Sequence, residues 1–383
     1  MKVTQIFDIM NNVTKEVLGR EEVVQEDLQN IVDVGNEIID SDNLDNYVKK
    51  LVNHIGKVVF VNRLYEGGVP SVLMDSWEYG SVLEKVSADL PEATESDTWN
   101  LVDGKSYDDD IFYQPSVSAK FFNSKVTFEI PMSFTEIQVK ESFSNANQLN
   151  GFLSMLTTAI ENSMTVKLDA LIMRTINNMT GETLAGDTSG VRAVNLLALF
   201  NEDNQTDLTP SQAIKNPEFI QFASYQIALY SDRITRISTL FNDGAKERFT
   251  PASDRHVVLL SDFAKASDIY LRSDIANKEL ITLPEHETVP YWQGSGTNYD
   301  FESVSKIDVI TSEKKTVKQS GILGVMFDRY ALGVSNLDRR VTTNYNASAE
   351  FYTNYYKFDS GFFNDLNENF IVFYIGEDVS KGE

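Results

Sequence analysis

The sequence predicts an α+β protein organised around one long central helix, and three observations carry that prediction. Apolar residues recur in steps of three and four without a break from Leu149 to Met179. Alternating runs flank a long acidic and aromatic excursion, about residues 64 to 115. The C-terminal stretch then returns to aromatic strands, ending in the continuous apolar run Phe370 to Ile375, which suits a strand covered on both faces.

Composition sets the limits. A chain of 383 residues exceeds the size at which one core stops growing, so two or more packed units are expected. Hydrophobic residues at 42% and charged residues at 23% describe a chain that folds. The absence of cysteine removes thiolate nucleophiles and cysteine-ligated metal sites and fits a reducing compartment. No run approaches the roughly 18 to 20 apolar residues of a membrane span, and the start lacks the apolar stretch of a signal peptide. A net charge of -24 from 57 acidic and 33 basic residues argues against gripping nucleic acid, which needs clustered Lys and Arg.

Taken in order, residues 4 to 55 hold short amphipathic patterns (Ile6, Phe7, Met10; Val23, Val24, Leu28; Leu44, Tyr47, Val48). Helices this short need a larger surface to lie on. Val58 to Val61 reads as a strand closed by Gly67, Gly68 and Pro70. Residues 71 to 112 carry Glu84, Asp89, Glu92, Glu95, Asp97, Asp103 and Asp108 to Asp110 against only Lys85 and Lys105, with Trp77, Tyr79 and Trp99 interleaved. Alternation follows in "SVSAKFF" and "KVTFEIP", so the excursion is expected to be a β-hairpin returning to the sheet it left.

The central helix is expected over about 147–179, roughly 45 to 50 Å long, with Gly181 as its stop. Residues 185–335 mix types. "NPEFIQFASYQIALYSDRITRISTLF" and "AKASDIYLRSDIANKEL" read as helices, and "HVVLLSD", "KIDVIT" and "GILGVMFD" read as strands.

Catalytic chemistry finds little footing. His54, His256 and His286 are scattered. His286 between Glu285 and Glu287 is a conceivable metal pair, read instead as a loop of solvated charges, and His256 reads as an edge or core histidine. Asn201, Asp203 and Asp207 only echo a calcium loop, lacking its central glycine and closing glutamate. Thr188 in "AGDTSG" stands where a nucleophile elbow places serine, with no histidine following in a credible arrangement. "QGSGTNY" lacks the third glycine of a dinucleotide fingerprint. Asp108 to Asp110 read as a solvated turn. Asp328, Arg329, Asp338, Arg339 and Arg340 form either a surface ion-pair network or a charged contact with another subunit. No cofactor is expected.

A hairpin of about 40 residues cannot cover both faces on its own domain, and isolated ribbons are marginal in water. A neighbour must supply the second face, as in symmetric homo-oligomers.

With that order of parts, the chain resembles over nearly its whole length the major capsid proteins of tailed bacteriophages with the HK97-like fold. The resemblance is carried by an N-terminal arm (1–55), an extended loop (about 64–115), the spine helix "NQLNGFLSMLTTAIENSMTVKLDALIMRTINNM", an axial domain (185–335) and peripheral-domain return strands (336–383). The first part of the peripheral domain would be 56–184. The closing stretch "GVMFDRYALGVSNLDRRVTTNYNASAEFYTNYYKFDSGFFNDLNENFIVFYI" looks especially like the ends of capsid proteins from phages of Gram-positive hosts.

The resemblance implies hexamers and pentamers tiling an icosahedral virion head, assembled in the host bacterial cytoplasm. Packaged double-stranded DNA would be enclosed without sequence-specific contact. A portal protein, a separate scaffolding protein and decoration proteins are the implied partners, with no membrane. Many relatives carry a cleaved N-terminal scaffolding segment, and a chain opening at Met1 favours a separate scaffold or none. Trp77, Tyr79 and Trp99 would anchor the loop on the adjacent subunit, since aromatics dominate interface energetics. A tail or baseplate structural protein, a compartment-forming encapsulin, and a metal-dependent hydrolase using Glu285 and His286 are the alternatives.

Overall fold

The structure, a computed structural model, describes residues 67–74, 82–91, 93–96, 99–106, 112, 114–135, 146–273, 283–294, 298–349 and 351–377. The expected helices of 4–55, the strand at Val58 to Val61, His54, Trp77, Tyr79 and Asp108 to Asp110 lie outside the described residues.

After a short 3-10 turn at Pro70–Val72, the strands are β1 (Leu73–Met74), β2 (Leu83–Ala88), β3 (Val117–Phe122) and β4 (Lys125–Thr135). The long helix α1 (Ala146–Gly186) leads to β5 (Ala193–Asn195), α2 (Leu196–Asn204), α3 (Pro210–Ala213), α4 (Pro217–Arg233), β6 (Arg255–Leu260), α5 (Ser261–Ser273) and β7 (Glu287–Val289). Then come α6 (Phe301–Val304), β8 (Ile307–Ile310), β9 (Thr316–Gln319), β10 (Ile322–Asp328), β11 (Leu332–Asn346), β12 (Phe351–Asn364) and β13 (Phe370–Tyr374). The sheets run β1-β11-β12-β4, β5-β13-β10-β6-β7, β2-β3 and β8-β9.

The chain divides into two compact units, one with Ile130–Ser163 and Val341–Tyr356, the other with Glu66–Glu129, Met164–Arg340 and Lys357–Glu383. In the larger unit, β10 and β13 are buried on both faces, because helices cover one side and α1 with the β8-β9 hairpin covers the other. Alternation sorts the side chains accordingly. Val258, Leu260, Val325, Phe327, Phe370 and Val372 join the core beneath α1. Val257, Leu259, Met326, Ile371 and Phe373 join that of α2, α4 and α5, with Phe219, Ile220 and Ile227. Asn195 and Asn216 cap α2 and α4 by accepting from Ala198 N at 3.1 Å and from Glu218 N at 2.9 Å.

The return strands were expected to rejoin the first unit, but Phe370–Tyr374 sits inside this sheet. It pairs antiparallel with β10, Phe327 opposite Phe370, and parallel with β5, Val372 opposite Ala193. The helix expected to run to Phe241 ends at Arg233, where Ile234 turns inward and the bridge between Ser238 and Arg248 begins.

Helix α1 is 41 residues long, about 60 Å at 1.5 Å per residue, and Gly181 does not stop it. Leu171, Ile172, Ile176, Met179 and Leu184 are all buried. So are Thr175, Thr180 and Thr183, whose hydroxyls donate to the carbonyls of Leu171, Ile176 and Met179 at 2.8, 2.9 and 2.9 Å. The helix is covered nearly all round there, not along one stripe. Gly181 is where the β8-β9 hairpin presses in: a Cβ on it would lie 2.3 Å from Val309 Cγ2. Gly181→Ala is expected to lose about 1–2 kcal/mol in thermal or denaturant unfolding, overpacking outweighing the gain of roughly 1 kcal/mol in helix propensity. A stabilised variant would show that the hairpin does not pack this tightly.

In the smaller unit, Val341 to Ala349 are exposed throughout, and polar side chains tie the strands together. Ser133 Oγ and Thr353 Oγ1 lie 2.9 Å apart, Thr343 Oγ1 donates to Asn354 Oδ1 at 2.7 Å, and the rings of Tyr345 and Tyr352 are 4.6 Å apart.

Candidate subunit interface

The excursion forms a ribbon whose register sets two different faces. Leu83 lies opposite Phe122, Lys85 opposite Lys120 and Ser87 opposite Ser118; the alternate pairs are Glu84 with Phe121, Val86 with Ala119 and Ala88 with Val117. In an antiparallel pair, opposed residues share a face.

The first set turns inward. Phe122 meets Phe363 at 5.0 Å between ring centroids. Lys85 Nζ donates to Asp365 Oδ2 and Glu368 Oε1, each at 2.7 Å, and to the Tyr330 carbonyl at 3.2 Å. Lys120 Nζ donates to the other Asp365 oxygen at 2.8 Å. Arg248 Nε lies 3.4 Å from Glu368, and Lys246 Nζ 3.5 Å from Asp89. The Asp365 side chain is only 2% exposed. Burial pushes its carboxyl up, but Lys120, Lys85 and the Asn367 N–H outweigh that and hold it below the ordinary carboxylate range. Withdrawing both lysines would leave this buried carboxylate without a counter-charge, so the ribbon is latched to its own body through one face.

The second set faces away. Phe121 is 64%, Val86 59% and Val117 58% exposed, and Ala88 and Ala119 complete an apolar row whose one charge is Glu84. Towards the tip, Trp99, Leu101, Val102 and Phe112 are exposed, Trp99 by 95%. The tip turns at Asp103 and Gly104, with Lys105 N donating to the Val102 carbonyl at 3.2 Å and Gly104 at φ +84°. Exposed apolar rows of this kind mark candidate interaction surfaces.

Of the other residues singled out by sequence, Arg340 is engaged inside its own chain. It donates to Asp338 Oδ2 at 3.1 Å and forks onto both Asp359 oxygens at 2.6 and 3.3 Å. This guanidinium, with the Thr127 hydroxyl, holds the Asp359 carboxyl low. Arg329 and Arg339 are exposed, and Arg329 N donates to the Asp254 carbonyl at 2.7 Å.

The candidate catalytic stretches have structural roles. In "AGDTSG", burial raises the Asp187 carboxyl, yet N–H groups of Ala193, Ser189 and Arg192 and the Ser189 hydroxyl outweigh it, and the loop wraps this side chain just after α1. Thr188 is exposed beside it. Asn201 closes the loop after α2, accepting from Leu208 N at 3.1 Å and from the Thr206 hydroxyl at 2.9 Å. Glu287 holds Ser71 through its N–H at 3.1 Å and its hydroxyl at 2.5 Å, and His286 Nδ1 lies 2.9 Å from the Pro284 carbonyl. Among the described residues no group of three or more His, Asp or Glu is placed to hold a metal, and no helix is long and apolar enough to cross a membrane.

Asp365 and Glu368 were not foreseen. "NDLNEN" reads as an ordinary polar turn, and the available signal was Lys85, one of only two cations in the acidic stretch 71–112.

Comparison with known proteins agrees with this architecture. A chain in the capsid structure of Staphylococcus phage Andhra superimposes with a TM-score of 0.55 at 9% identity, covering 83% of this chain and 87% of that one. One from the structure of the head fiber and inner core protein gp22 of bacteriophage P68 gives 0.52 at 9% identity, covering 84% and 87%. At such identity these likenesses establish the fold, that of phage capsids. The major capsid protein of Bacillus phage GA-1 is 24% identical over 168 residues, 43% of this chain and 34% of that protein's length; the match thus spans about a third of the relative. The profile of the Phi29-like phage major capsid proteins matches residues 10–374, nearly the whole sequence, and the chain belongs to that family.

Proposed function

We propose that this protein is the tile of a phage head, self-assembling into hexamers and pentamers that close an icosahedral shell around double-stranded DNA. One observation carries the reading: the ribbon is latched by one face and bares an apolar row on the other. Such a row marks an interaction surface, and in a family of major capsid proteins the partner that covers it is a second copy. Residues 1–55 act as an arm, 56–184 and the strands up to Asn364 as the peripheral domain, and 185–335 together with the returning strand Phe370–Tyr374 as the axial domain around the capsomer centre. Its role is structural, not catalytic. A net charge of -24 suits a wall that confines DNA without adhering to it. A portal protein, a separate scaffolding protein and decoration proteins complete the head, which assembles in the bacterial cytoplasm.

Electron microscopy of the purified protein tests this. Polyhedra or hexameric sheets are the expected result, and tubes or rings would overturn it.

A further inference from the structure

The β8-β9 hairpin is a second surface with two unlike faces. Ile307, Val309 and Val317 are buried, Val309 against Gly181. Asp308 pairs with Lys318 and Ile310 with Thr316 on the outer side, and Ile310 is 69% exposed. The stretch carries Lys306, Lys314, Lys315 and Lys318 against Asp308 and Glu313; Glu313 already pairs with Lys315 at 2.8 Å and Asp308 with Lys318 at 3.3 Å, so the local cationic excess on a strongly acidic chain is carried by Lys306 and Lys314, both exposed. The ribbon is its complement in both respects. Its outer row is apolar, its acids include Glu84, Glu95 and Asp103, and its Lys85 points inward to Asp365 and Glu368.

We propose that the outer row of the ribbon in one copy seats on the β8-β9 hairpin of a second copy, Val86 and Phe121 against Ile310 and the acids beside Lys306 and Lys314. The inference rests on the shell reading, since it needs copies side by side. Its physical basis is that chains of charge -24 repel one another unless a local cationic site meets an acidic one. The row cannot turn onto its own body while the opposite face is held by Asp365.

Because the chain has no cysteine, disulfide trapping reads the contact directly. Val86→Cys and Ile310→Cys variants are mixed, assembled and mildly oxidised. Residues brought within about 7 Å between Cα atoms can bridge, so the expected result is a shift from monomer to the mixed dimer in non-reducing electrophoresis of the assembled fraction. Linking of Val86→Cys to itself would instead show ribbon against ribbon and overturn the assignment. Shells that form without the mixed link also overturn it and leave the shell reading standing. Failure of the unsubstituted chain to assemble removes both. Should Val86→Cys hinder assembly, Val117→Cys on the same row carries the test.

Discussion

Asp365→Ala is expected to lower the stability of the subunit by about 2–4 kcal/mol and to free the base of the ribbon. Removing one member of a buried ion pair costs roughly 3–5 kcal/mol, because the remaining charge is left without a partner in a dry site. The lower range applies because Lys120 is 42% exposed and can turn to water, while Lys85 keeps Glu368. The substitution also removes the acceptor of the Asn367 N–H at 3.1 Å. Denaturant unfolding reads the stability, and hydrogen exchange at residues 83–88 reads the release. Unchanged protection there would show that Phe122 on Phe363 holds the ribbon without the charges. Acid acts on the same contact, with a definite sign. The folded carboxyl lies below its unfolded value of about 3.9, so its contribution is complete above that pH. It is lost only as pH falls through the depressed folded value, and release is expected below about pH 4, not at pH 5 to 6.

Val86→Asp and Phe121→Asp are expected to abolish assembly while leaving the isolated subunit intact. Both side chains are more than half exposed, so each change should alter subunit stability by no more than about 0.5 kcal/mol. In an assembled contact, each loses the roughly 1.5–3 kcal/mol of burying a Val or Phe and adds a desolvated carboxylate beside Glu84. Repeated at every contact of a closed shell, that deficit is decisive. Sedimentation across a range of protein concentration, with thermal unfolding of the monomer as control, distinguishes the two effects. Normal shells at the usual concentration would remove the row from the interface.

The fold was legible where one periodicity ran unopposed. Steps of three and four exposed the central helix, and in β4 alternation reported the side that meets the core, Val126, Phe128 and Ile130; in β3 the same period was legible, but its apolar positions Val117, Ala119 and Phe121 face away from the body. Gly181 misled because a glycine near the end of a pattern signals a stop, whereas here it admits Val309. The placement of Phe370–Tyr374 was not readable, because an unbroken apolar run states that both faces are covered without saying by which elements. The latch lay hidden for a similar reason: Lys85 and Asp365 are 280 residues apart, and nothing local couples them. Trp99 is 95% exposed, which the sequence could not state, since an aromatic in an acidic stretch reads equally well as buried or bare.

The strip formed by Ser133, Thr353, Thr343 and Asn354 is held by hydroxyl and amide contacts, and Val341 to Ala349 are wet. Such bonds contribute only about 0.5–1.5 kcal/mol each and can be remade with water or a shifted partner. Twisting these strands therefore opens no dry seam. If the proposed shell holds the same polypeptide at five-fold and six-fold positions, these strands are where a difference in curvature costs least.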